Sequence, residues 1–157
     1  MAFFDAETSQ MFVQLALAMF LGALIGLERE YQGKSAGLRT YALVALGSCL
    51  FTVISTVGFE AFSGLTSYDP TRIAAQVVLG IGFLGGGIIF LKGDIVYGLT
   101  TAAGLWISAA LGVAVGGELY AAAIFTTILS LTILLVLKKL EHYIHRDRPE
   151  EAHHDLT

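Results

Sequence analysis

The side chains able to do chemistry fall in a few short clusters. Glu28, Arg29 and Glu30 stand together, with Lys34 and Arg39 a few positions on. Arg72 and Gln76 lie four apart, just after Asp69-Pro70, and Thr100 and Thr101 form a pair ahead of Trp106. His142 and His145 are three apart near the end, with His153 and His154 beyond. Imidazoles at that spacing on a helix can ligate a metal. No cysteine lies near them and Pro149-Glu150-Glu151 breaks the order, so a solvated tail is the expectation. Nothing pairs a nucleophile with a base, and no metal-ligand set occurs in the apolar parts of the chain, so an enzyme is not expected.

These clusters are set among five charge-free stretches, Thr8 to Leu27, Thr40 to Phe59, Ile73 to Leu91, Ile95 to Gly117 and Leu119 to Leu137, of 20, 20, 19, 23 and 19 residues. All 22 charged side chains lie outside them. At about 1.5 Å per residue each makes a helix about 30 Å long, the thickness of a bilayer's hydrocarbon core. A hydrophobic content of 55%, only 14% charge and a mean hydropathy of +0.73 agree with this. Backbone groups in lipid must be satisfied within their own segment, and continuous apolar runs lack the alternation of a barrel strand, so helices are predicted. The net charge of −4 gives no basic surface, and nucleic-acid binding is not expected.

Eight of the nine Lys and Arg residues fall in the first loop, the third loop and the tail, while Arg72 alone falls on the other side. Cytoplasmic loops retain positive charge, so the N-terminus should be outside and the C-terminus in the cytoplasm. The expected fold is an all-α, polytopic membrane helix bundle of five transmembrane helices over residues 1–137. A short, partly disordered cytoplasmic tail should follow over 138–157. Met1 to Gln10 carry no Lys or Arg, unlike a cleaved signal peptide, so the first span should be retained. Cys49, the only cysteine, falls mid-span and reads as a packing residue.

Several positions break the rules of an ordinary span. Glu28 and Glu30 follow the end of helix one, where the helix dipole disfavours an acid by about 0.3 to 1 kcal/mol unless it is paired. They form either an interfacial salt-bridge cluster with Arg29, Lys34 and Arg39 or, for Glu28, part of a polar site inside the bundle. Asp69 before Pro70 is a helix N-cap. Arg72 in the first turn opposes both the dipole and the positive-inside pattern, which points to a specific partner: a functional polar site, or a structural pair with Glu60 or Glu118. Arg72, Gln76, Gly80, Phe83 and Gly87 recur at spacings of three and four, and that shared face is predicted to point into the protein.

Gly80-Ile-Gly82-Phe-Leu-Gly85 spells a dinucleotide-binding pattern, but it lies inside a span with no acid about 20 residues on. Gly82 with Gly86, and Gly22 with Gly26, are small-xxx-small pairs that let helices approach closely. The run Gly85, Gly86, Gly87 could instead break its helix and line a cavity. Helix four opens at Gly98, and Trp106 at its middle suggests internal packing. The connections Lys92-Gly-Asp94 and Gly117-Glu118 are so short that helices three to five must form adjacent antiparallel hairpins.

In order and spacing, Leu24-Ile-Gly-Leu-Glu-Arg-Glu30, Ala36-Gly-Leu-Arg-Thr40, Arg72-Ile-Ala-Ala-Gln76, Gly80-Ile-Gly-Phe-Leu-Gly85 and Gly98-Leu-Thr-Thr-Ala-Ala103 with Trp106 resemble the MgtC/SapB family of bacterial membrane proteins. The resemblance runs from Phe12 to Leu137, with Gly104 standing where Ser would be expected. Longer members carry a soluble cytoplasmic domain after the last helix, whereas here the sequence ends at Thr157. The resemblance implies a multi-pass protein of the bacterial inner membrane tied to magnesium homeostasis and, in pathogens, to virulence and adaptation to magnesium-poor, acidic conditions. It carries Glu28, Arg29, Glu30, Arg39, Arg72, Gln76, the Gly80 to Gly87 segment, Thr100 and Thr101 over as motif residues. Members are often labelled magnesium transporters, while others are regarded as regulators that bind membrane proteins, including the ATP synthase.

The spans contain no Asp or Glu, which counts against a dedicated Mg²⁺ cage. The expectation is therefore a non-catalytic regulator acting by contact with other membrane proteins, as a homo-oligomer with a dimer as the simplest form. Transport of magnesium or another ion or solute through the charged and glycine-rich helix faces is the alternative. No cofactor is expected, with Mg²⁺ the candidate if one is bound.

Overall fold

The computed structural model describes residues 5–56 and 71–140. Asp69, Glu60 and the four histidines lie outside the described residues. In chain order the elements are α1 (Ala6–Tyr31), α2 (Leu38–Thr56), α3 (Thr71–Ile88), β1 (Phe90–Lys92), β2 (Ile95–Tyr97), α4 (Leu99–Gly116) and α5 (Tyr120–Thr132). A π-helical stretch, Ile133–Leu137, extends α5 towards Leu140. Four of these helices, α1, α2, α4 and the extended α5, are long and apolar enough to cross a membrane. Within α3 the apolar part is shorter, Ala75–Ile88.

The two ends of α1 are fixed by local chemistry. Asp5 caps the start, accepting a hydrogen bond at 2.8 Å from the Thr8 amide, and Thr8, through its hydroxyl first and its amide second, holds the Asp5 carboxyl below the usual carboxylate range. At the other end Gly33 takes the left-handed conformation (φ 63°), and the Lys34 and Gly33 amides donate back to the carbonyls of Arg29 and Glu30. That is a Schellman stop, and it needs glycine at its left-handed position.

One expectation is corrected between α3 and α4. The stretch from Ile95 to Gly117 is not one helix, because Ile95–Tyr97 pairs antiparallel with Phe90–Lys92, Leu91 opposite Val96. Gly93 (φ 63°) and Gly98 (φ 89°) bracket the second strand in left-handed conformations, and Phe90 stacks on Tyr97 at 5.5 Å. A count of charge-free residues is blind to such turns. The fold therefore carries a small β-hairpin in a helical protein.

The centre of the protein is the packing of α1, α2 and α4 on one another. Half of α4's apolar window is buried against 11% for α5, so α4 is the central helix and α5 a peripheral one. Small residues make this possible. On α4, Gly104, Ser108, Gly112 and Gly116 recur every four residues and lie against Tyr41, Ala45, Ser48, Cys49 and Thr52 of α2. On α1 a Cβ at Gly22 would sit 2.7 Å from the Tyr41 carbonyl oxygen, and one at Gly26 would sit 2.8 Å from the Leu38 Cα. Without these glycines the three backbones could not approach so closely. Large apolar side chains such as Phe12, Phe20, Leu43, Phe83, Phe125 and Ile128 are exposed on the outside, where lipid would cover them.

Candidate functional site

The most unusual chemistry lies where α1 ends against the start of α2. Glu28 and Arg29 are only 9% and 3% exposed, and the Arg29 Nε donates to Glu28 Oε2 at 2.5 Å. This is the one ion pair among the described residues. Adjacent helical residues point about 100° apart, so both can be enclosed only where neighbours cover a broad arc of the helix. Tyr41 of α2 lies within electrostatic reach of both charges, and Ala36 of the connecting loop is buried. The second carboxylate oxygen, Glu28 Oε1, is buried with no hydrogen-bond partner. An unsatisfied buried acceptor costs about 1 to 3 kcal/mol.

Tyr41 links the three central helices. Its hydroxyl donates to the Thr101 carbonyl of α4 at 3.1 Å, and its own carbonyl accepts from Ser108 Oγ at 2.8 Å. Gly104 makes room for the phenol, since a Cβ there would collide with the Tyr41 hydroxyl. Glu30 acts on the backbone instead, because its Oε2 accepts from the Leu38 amide at 2.8 Å and so caps the N-terminus of α2. Glu30→Ala should therefore lower stability by about 1 kcal/mol, the usual worth of a lost cap. Glu30→Gln, which keeps an accepting oxygen, should melt close to the parent in detergent.

Of the other sequence-predicted residues placed by the structure, only Thr101 joins this cluster. Arg39 and Thr100 are exposed, and Thr101 is buried beside Tyr41. The predicted inward face of α3 is corrected, because Arg72, Gln76, Gly80 and Gly87 are exposed and Phe83 is 84% exposed. The buried side of α3 is instead the stripe Val77, Ile81, Gly85, Ile88, in which a Cβ at Gly85 would stand 3.5 Å from the Ala102 Cβ of α4. Apolar volume decided the orientation, since polar spacing alone cannot say which side meets the core. Trp106 is likewise 49% exposed, lining a groove beside α3 instead of packing internally. The helix continues through Gly85, Gly86 and Gly87 to Ile88.

Two open grooves flank α3. One, of about 530 Å³, is walled by Thr52, Ile81, Trp106 and Val113; the other, of about 860 Å³, runs along α2 and α3 past Arg39, Ser48, Phe51, Gln76 and Gly80. Among the described residues no three His, Cys, Asp or Glu side chains gather where they could hold a metal.

Sequence reasoning missed Gln14, Tyr41, Ser108 and the α4 glycines. The signal for two of these sets was a period of four: Gln14, Ala18, Gly22, Gly26 on α1 and Gly104, Ser108, Gly112, Gly116 on α4. Nothing local marks Tyr41, whose role depends on α4.

A bundle of long apolar helices, joined through small-residue faces and holding a buried ion pair at one end, defines a multi-pass α-helical membrane protein. No solved structure matches it. The model of the MgtC family matches residues 15–143. The chain belongs to the MgtC family. It is 49% identical over 128 residues to "Protein MgtC" of Brucella abortus, covering 80% of this chain and 50% of that protein. It is 42% identical over 135 residues to "Putative magnesium transporter YhiD" of Escherichia coli K12, covering 85% of this chain and 63% of that one. An uncharacterised protein of Haemophilus influenzae is 38% identical over 149 residues, covering 92% and 63%. The chain thus spans between half and two thirds of the length of these relatives.

Proposed function

We propose that this chain is a non-catalytic protein of the bacterial inner membrane that acts in magnesium homeostasis by lateral contact with other membrane proteins. Magnesium comes from the relatives, one of which carries a magnesium-transporter name. The proposed topology has five spans, with α3 as the third, the N-terminus outside and the C-terminus in the cytoplasm. Its support is the clustering of charge: Arg29, Lys34 and Arg39 lie where α1 meets α2, Lys92 lies in the hairpin ahead of α4, and Lys138 hydrogen-bonds Gln32. All five basic residues are thereby at one end of the bundle, as the positive-inside rule requires of the cytoplasmic side.

The observation that carries lateral contact is the bare face of α3. A Cβ at Gly82 or Gly86, one turn apart on the same side of the helix, would meet no atom of the described residues within 4 Å, whereas the glycines of α1 and α4 are closed over by neighbouring helices. A small-residue pair one turn apart on an exposed side of a helix lets another helix approach closely, and a second copy of this chain, giving a dimer, is the simplest occupant. Replacing Gly82 and Gly86 together by Leu should leave membrane abundance and melting unchanged, since both positions open away from the described residues. The variant should lose crosslinked adducts in native membranes and fail to restore growth of a deletion strain in low magnesium. Growth and adducts equal to the parent would refute the contact reading.

Transport is the second reading, favoured by the larger groove along α2 and α3. Among the described residues that groove holds Arg39 and no carboxylate, an arrangement that disfavours a divalent cation. Flux of Mg²⁺ into liposomes by the purified protein would reverse the preference.

A further inference from the structure

At the end of the bundle opposite Glu28 and Arg29, the first turns of α1, the last residue of α2 and the C-terminus of α4 enclose a cavity of about 180 Å³. Its polar lining is Glu7, Gln10, Gln14, Thr56 and Glu118, and no Lys, Arg or His borders it among the described residues. Gln14 is the informative residue. It is only 4% exposed, lies in the first apolar stretch and lines this cavity, yet its amide has no hydrogen-bond partner among the described residues. Amides within an apolar stretch are normally bonded, so one that meets no partner among the described residues and opens on a polar cavity takes its hydrogen bonds from what that cavity holds.

Glu118 is brought to the rim by the turn that ends α4. It occupies the left-handed position (φ 63°) of a Schellman stop, with its amide bonded to the Val115 carbonyl and the Leu119 amide bonded to that of Ala114. Its Oε1 accepts from Gln10 Nε2 at 2.7 Å. The donor set is thus two carboxylates, two amide oxygens and a hydroxyl, all hard oxygen ligands with no cationic side chain bordering them among the described residues. The space exceeds a bare ion and has room for several waters.

We propose that this cavity binds a hydrated divalent cation of the Mg²⁺ class. Glu7 and Glu118 supply the charge, and the Gln14 amide oxygen bonds the ion or one of its waters. Mg²⁺ sheds water reluctantly and is commonly held by one or two carboxylates with its remaining waters bonded to nearby oxygens, which is the chemistry present here. This deepens the magnesium reading and rests on it for the choice of ion. On the proposed topology the site faces the outside of the cell.

The test is an electron paramagnetic resonance titration of the purified full chain in detergent with Mn²⁺, the visible stand-in for Mg²⁺. One Mn²⁺ per chain should bind, with a dissociation constant of about 10⁻⁴ to 10⁻³ M, and Mg²⁺ should displace it. Glu118→Gln and Gln14→Leu should each weaken binding at least about ten-fold, or about 1.4 kcal/mol. Glu7→Gln serves if either of those fails to fold, as judged by melting. Asp94→Asn, which removes an exposed carboxylate at the opposite end, should leave binding unchanged. Equal affinity in the parent, Glu7→Gln and Glu118→Gln, or an equal loss in Asp94→Asn, overturns the site whatever the growth assay gives. Loss confined to the cavity variants upholds it even if the glycine variants of α3 grow normally.

Discussion

Arg29→Gln should destabilise the protein by about 3 to 5 kcal/mol, because it leaves the Glu28 carboxylate buried without its counter-charge. The carboxylate already has one orphaned oxygen, and the substitution removes the only ion-pair partner of the other. Glu28→Gln should cost a comparable amount, since it strands a guanidinium that is 3% exposed. The double variant Glu28→Gln with Arg29→Gln has no buried charge and should regain much of the loss. Unfolding of the four proteins in detergent gives the coupling directly. Single variants within about 1 kcal/mol of the parent would mean that water reaches the pair, as at an exposed bridge. The double variant also isolates function: stable protein that fails in low magnesium assigns the pair a role beyond holding α1 to α2. Arg72→Gln, at an exposed position, should change stability by no more than about 1 kcal/mol.

The second large effect is expected at Gly112. A Cβ there would overlap the Ala45 carbonyl oxygen and stand 2.7 Å from the Ser48 Cβ and 2.9 Å from the Cys49 amide nitrogen. Two of these three obstacles are backbone, which cannot rotate away. Gly112→Val should therefore force α4 off α2, costing about 3 kcal/mol or more, the upper end of overpacking. The measurable result is little folded protein in the membrane and a lowered melting temperature. On α3, a helix of equal length, a Cβ at Gly86 meets no atom of the described residues within 4 Å, and Gly86→Val should fold normally. Equal tolerance at both positions would contradict the close packing of α2 on α4.

How far the structure was legible varies by element. The C-terminal end of α1 was marked by the glycine-containing charged loop, whereas its start at the Asp5 cap emerged only from the structure. The hairpin was hidden because Phe90, Leu91, Ile95 and Val96 are as apolar as any span residue. Lys92-Gly-Asp94 marks the turn as a connection, and beyond it only Gly98, with its left-handed φ, separates the second strand from α4. In the candidate site, the conflict of an acid at a helix C-terminus drew attention to Glu28. The spacing of Arg72, Gln76 and Phe83 correctly grouped them on one face but gave that face the wrong direction.

The sequence by itself determined that the chain is built of apolar helices, that its charges lie outside the apolar stretches, and that it belongs among MgtC-like membrane proteins. Those properties follow from local composition and short motifs, each legible within about 20 residues. The tertiary structure decided which glycines are closed over and which are bare, that Arg29 is the partner of Glu28, and that Tyr41 joins α2 to α4. It also brought Gln14 beside Glu118, more than a hundred residues away in the chain. The physical reason is that in a membrane nearly every helix face is apolar, so hydrophobic periodicity no longer distinguishes inside from outside. Burial is then set by where small residues let backbones meet, and that depends on the matching surface of another helix.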